Sequence, residues 1–150
     1  MTRAAVGPVS PAVERTSLTT TKPAYQAYEI LHVGFAALPI VAGLDKFLHF
    51  LQIGSWEGYL APVVSRTLQS MHIADHTFML IVGAIEVIAG LLVAVWPRAG
   101  AYVVMLWLLG IVVNLLLCGQ YFDIALRDFG LALGALALAR ISENFGRPVH

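Results

Sequence analysis

Asp45, Lys46, His49, Glu86, Asn114, Asp123, Arg127 and Asp128 are polar groups set inside or at the ends of otherwise apolar runs. Apolar surroundings penalise a charge by several kcal/mol, so such groups pair, turn inward or meet water. Their chemistry is then hydrogen bonding to a buried carbonyl or hydroxyl, relay of a proton, or fixing of helix register. Spacing suggests the pairs. Asp123 and Arg127 are four apart and share a helix face. Gly130, Gly134 and Ala137 continue that face, so the polar and small ends of one stripe should both turn toward the protein. Asp128 points about 100° away from Arg127 and needs another partner, for which Lys46 is the candidate. Gly83, Glu86 and Gly90 share a face. Without a cation Glu86 would take up a proton; beside Lys46 or Arg127 it would stay ionised. Asn114 shares a face with Trp107 and Gly110 and can donate and accept across a core.

These residues need elements to place them. Four apolar stretches run about 28–51, 76–96, 99–118 and 121–141. Each reaches the roughly 20 residues a helix needs to cross a bilayer. Hydrophobic residues make up 59% and charged residues only 12%. A soluble domain carries about 25% charged residues, so the surplus apolar surface should face lipid. The expected fold is all-α: an antiparallel bundle of four transmembrane helices over residues 25–145. Pro97-Arg98 and Gly119-Gln120 are connections too short for anything but antiparallel neighbours. Pro39 should kink the first span and free the Phe35 carbonyl. Residues 54–70 mix Trp56, Tyr59 and Leu60 with Glu57, Pro62 and Arg66; they read as an interfacial or re-entrant segment. Residues 1–24 are polar, threonine-rich and proline-bearing, and read as a disordered tail without a signal-peptide core.

Other chemistries find little support. Nine basic and nine acidic residues balance, which argues against a nucleic-acid partner. Cys118 is the lone cysteine, so an internal disulfide and a Cys-x-x-Cys redox pair are excluded. The histidines lie at span ends, and no two share a mid-membrane depth on different helices, so a haem pair is not expected. His72 and His76, four apart beside Asp75, are a weak metal-binding spacing. Glu29 and His32 should pair locally. No catalytic set and no metal set is assigned. Lys46, Glu86, Asn114, Asp123, Arg127 and Asp128 form the candidate polar pocket.

The order of motifs resembles the DoxX family of small four-helix bacterial membrane proteins. Gly43-Leu-Asp-Lys-Phe47 comes first, then Gly83-Ala-Ile-Glu86-Val-Ile-Ala-Gly90-Leu-Leu92. Pro97-Arg98-Ala-Gly100 and Ala125-Leu-Arg127-Asp128-Phe-Gly130-Leu131 follow. The resemblance runs from Gly43 onward. It implies a bacterial inner-membrane protein tied to quinone-linked oxidoreductase complexes, and carries over no catalytic residue. The expected function is a small integral subunit of a redox or respiratory complex, lacking a redox centre, with quinone as its candidate ligand. Its expected partners are lipid and other subunits or further copies of itself. A non-enzymatic scaffold and an oligomeric transporter for a small solute or proton stay open. Basic residues near the span ends divide six (Arg3, Arg15, Lys22, Arg98, Arg140, Arg147) to two (Lys46, Arg66). Both termini are therefore expected on the cytoplasmic side.

Overall fold

The computed structural model describes residues 11–51 and 55–145. Among them every regular element is helical: α1 (Pro11–Leu48), a 3-10 turn (Trp56–Tyr59), α2 (Pro62–Ser70), α3 (Asp75–Val95), α4 (Pro97–Cys118) and α5 (Phe122–Phe145). Three of these are long and apolar enough to cross a membrane: the Lys22–Leu48 part of α1, α3, and α4. At about 1.5 Å per residue, α3 and α4 each measure a little over 30 Å, which matches the hydrocarbon core. α5 is as long but carries Asp123, Arg127, Asp128, Arg140 and Glu143, which sets it apart from the other three.

α1 begins earlier than the sequence suggests. Pro11 stands at its start, where a fixed φ suits a helix and the missing N–H costs nothing. The helix continues through Pro23 and Pro39. Residues 11–24, expected to be disordered, are thus helical; residues 1–10 lie outside the described residues.

α1 packs along α3, and α4 along α5, while α3 meets α4 and α1 meets α5. The long helices that follow one another in the chain are neighbours in space. Trp96 alone separates α3 from α4, and its N–H closes onto the Leu92 carbonyl at 2.7 Å. A Cβ on Gly100 would run into the Val93 backbone, so glycine lets α4 fold back against α3. Gly119 ends α4 with φ 69°, a left-handed cap that glycine adopts without strain.

Small residues set the helix spacing. A Cβ on Gly43 would strike the Gly83 carbonyl oxygen, and one on Gly83 would lie 2.8 Å from the Gly43 carbonyl. A Cβ on Gly90 would stand 2.7 Å from the Ala36 carbonyl. The α3 stripe read from sequence therefore does face a neighbour, and that neighbour is α1. Toward one end lies an apolar core of Tyr28, Phe35, Ala89, Val93, Ala101, Val104, Ala135, Leu138 and Ala139. Outward the helices show Ile30, Ile88, Leu106 and Leu126, all more than half exposed. An apolar interior wrapped in an apolar exterior is what lipid as solvent selects.

Candidate functional site

The polar residues gather toward the end opposite that core. Lys46, in the last turn of α1, reaches α3 and donates to Glu86 Oε2 at 2.6 Å. Both residues are buried, each about 6% exposed. Gly43 and Gly83 bring the two backbones close enough for this contact, each one helical turn from a member of the pair. The Trp56 ring lies over the ammonium, with Nζ 4.3 Å from its centroid, within cation–π range. The sequence left Glu86 with two candidate cations; the fold gives it Lys46. That contact also takes Lys46 away from Asp128, its expected partner.

Asp45 is fully buried. Its Oδ1 accepts the Leu51 N–H at 2.6 Å, and its Oδ2 is buried without a partner. Asp45 had been noted only as a polar residue in an apolar run. Its position late in α1, next to the lysine, is the available signal; both are buried, and periodicity, which sets adjacent residues about 100° apart, does not say that neighbours cover both directions.

Asn114 does not bond across to another long helix. Its Oδ1 accepts the Ala61 N–H at 3.0 Å and its Nδ2 donates to the Tyr59 carbonyl at 2.7 Å. Gly110, expected on the same inward face, has nothing near the place of its absent Cβ. Cys118 Sγ lies 3.5 Å from the Tyr59 carbonyl, and the Tyr59 and Tyr121 rings meet at 4.8 Å.

α5 corrects a further expectation. Asp123, Arg127 and Gly130 are exposed, while Ala125, Asp128, Ala132, Ala135, Leu138 and Ala139 form the buried face. Arg127 Nε donates to Asp128 Oδ1 at 3.2 Å. The long arginine stem bridges the 100° step between adjacent residues, so the Arg127–Asp128 contact replaces the expected Asp123–Arg127 pair. The face differs from the expected one because α5 has small residues on more than one side, and the side that is buried is its alanine row. Gly134 alone of the stripe meets a neighbour, the Phe35 ring.

The segment read as interfacial or re-entrant packs, over its described residues 55–70, as a cap on the end of the long helices. Leu60 and Leu68 pack on Met79 with Trp56, Val64, Ile73 and Phe78 around them. Ser65 Oγ donates to Asp75 Oδ2 at 2.6 Å, and His76 Nδ1 lies 2.9 Å from Glu57 Oε1. The Glu57 backbone N–H, and then His76, hold the Glu57 carboxyl below its ordinary range. Asp75 and His76 thus serve the cap, and among the described residues no three His, Cys, Asp or Glu side chains gather as a metal site. His32 Nε2 lies 3.0 Å from the Val93 carbonyl, joining α1 to α3 where a local bond to Glu29 was expected.

The structure therefore joins Lys46, Glu86 and Trp56 in one place and gives Asn114 to the cap. Asp128 is paired with Arg127, and Asp123 is left on the outside. Chemically, the buried group offers an ammonium with a carboxylate beside it. Such a set can hydrogen-bond a carbonyl or hydroxyl and hold a proton. Compared with protein-family models, curated proteins and solved structures, the chain matches none.

Proposed function

We propose that this protein is a small, DoxX-like, multi-pass subunit of a quinone-linked redox complex in a bacterial inner membrane, with electrons supplied by partner subunits. In this reading all four long helices cross the bilayer. α5 crosses because its charges sit toward its ends: Asp123, Arg127 and Asp128 at one, Arg140 and Glu143 at the other. Aromatic groups mark both boundaries. Tyr25 and Tyr28 meet Phe145 at one end, and Trp56, Tyr59 and Tyr121 cluster at the other. From Tyr28 to Lys46 α1 rises about 27 Å, close to the hydrocarbon thickness. The basic residues Arg98 and Arg140 share Glu143 at 3.5 and 3.0 Å. That end faces the cytoplasm by the positive-inside rule, which leaves the Lys46–Glu86 end outward.

The observation that carries the reading is the buried Lys46–Glu86 pair with the Trp56 ring over its ammonium. A quinone carbonyl would accept from Lys46, and Glu86 would pass the proton. The test is to tag the carboxyl terminus, extract native membranes in mild detergent, and identify what co-purifies. Stoichiometric redox subunits or bound quinone are expected; a homo-oligomer without either defeats the reading.

A second reading, a non-enzymatic scaffold, is favoured by the tight Gly43–Gly83 crossing next to the pair. There the ion pair serves as a register pin between α1 and α3.

A further inference from the structure

We propose that the segment Trp56–Ser70 is a lid over the Lys46–Glu86 pair, and that Asn114 is the latch that holds it shut. This rests on the reading of that pair as the polar site. The lid places its own side chain on the site, since the Trp56 ring stands over the Lys46 ammonium at 4.3 Å. Its fastenings are few and mostly polar. Asn114 spends both ends of its amide on the lid backbone, taking the Ala61 N–H and giving to the Tyr59 carbonyl. Ser65 bonds Asp75, and Glu57 bonds His76. The apolar seat is the small cluster of Leu60 and Leu68 on Met79.

An element held this way opens at less than the cost of global unfolding. The closed state also carries its own penalty. Trp56 Nε1 and Asp75 Oδ1 are buried without partners, and each unsatisfied polar atom costs free energy that water would restore on opening. Closing sets a few hydrogen bonds and a small apolar seat against two orphaned groups, and the Asn114 amide makes two of those bonds. Asn114 is a positioning residue for the lid. Its substitution should change access to the site while leaving the Lys46–Glu86 contact in place.

Cys118 is a native reporter. It is the chain's one cysteine, half-buried, with Sγ 3.5 Å from the Tyr59 carbonyl. In the full-length protein in native membranes, its reaction rate with a membrane-impermeant maleimide measures lid opening. Asn114→Ala removes two hydrogen bonds and should speed labelling about tenfold or more. Glu57→Gln and Ser65→Ala each weaken one fastening and should speed it severalfold. Equal rates in Asn114→Ala and the parent overturn the proposal. Should Asn114→Ala fail to fold, unchanged rates in both milder variants overturn it. The same assay with a short-chain benzoquinone substituted at every ring position, so that it does not add the Cys118 thiol, separates the two readings. Accelerated labelling in the variants that benzoquinone leaves unaltered supports the lid and counts against quinone as its ligand.

Discussion

At the residue scale, the Lys46–Glu86 contact separates the two functional readings. Removing one partner strands a buried charge, so Lys46→Ala should cost about 3–5 kcal/mol. Replacing both by apolar residues of similar size is often neutral, so Lys46→Met with Glu86→Met should restore thermal stability in detergent. If the pair is only a register pin, the double variant also regains assembly and quinone-dependent activity of the purified complex. If it handles the headgroup, the double variant folds and assembles but activity stays lost. Glu57 makes a separate prediction. Its carboxyl is held below the ordinary range by its own backbone N–H and by His76. A lowered carboxylate contributes stability above its unfolded-state value and loses it as pH falls through the folded-state value. The lid should therefore loosen toward the acid end of the carboxylate range. Because maleimide takes the thiolate, whose fraction falls with pH in both proteins alike, the measure is the ratio of Cys118 labelling in the parent to that in Glu57→Gln, which should rise there.

At the element scale, the helices were legible because their apolar runs end at turn residues. The apolar stretches 76–96, 99–118 and 121–141 fall on the helices α3, α4 and α5 with shifts of a few residues, and of these α3 and α4 are apolar enough to span. The lid was legible as a segment too polar and short to span. Its partner was not, because hydrogen bonds from Asn114 to Tyr59 and Ala61 join positions more than fifty residues apart. Glycines make the element-level test. Gly43→Ala places a Cβ against the Gly83 carbonyl, where backbone must move, and should cost about 1–3 kcal/mol. Gly130 has nothing near its absent Cβ, so Gly130→Ala should be neutral or gain up to about 1 kcal/mol from helix propensity. Thermal unfolding of the two variants in one detergent checks both, and equal losses would refute the assignment of faces.

At the scale of the whole molecule, the prediction is orientation. With both termini cytoplasmic, Tyr59→Cys in a Cys118→Ala background should react with an impermeant thiol reagent added outside. Reaction only from the cytoplasmic side would invert the arrangement. The sequence by itself determined the helical class, the long apolar elements and their short antiparallel connections. Those follow from hydrophobic run length and turn chemistry, which are local. It also marked Lys46, Glu86, Asn114 and Asp128 as groups needing partners, because the cost of an unpaired polar group in apolar surroundings depends on residue type alone. Only the tertiary structure decided the partners. Helical periodicity gives a residue's direction on its own helix but not which neighbour occupies that direction. Lys46 therefore met Glu86 through the Gly43–Gly83 crossing, Arg127 turned to adjacent Asp128, Asp45 was buried, and Asn114 closed on a lid instead of a core.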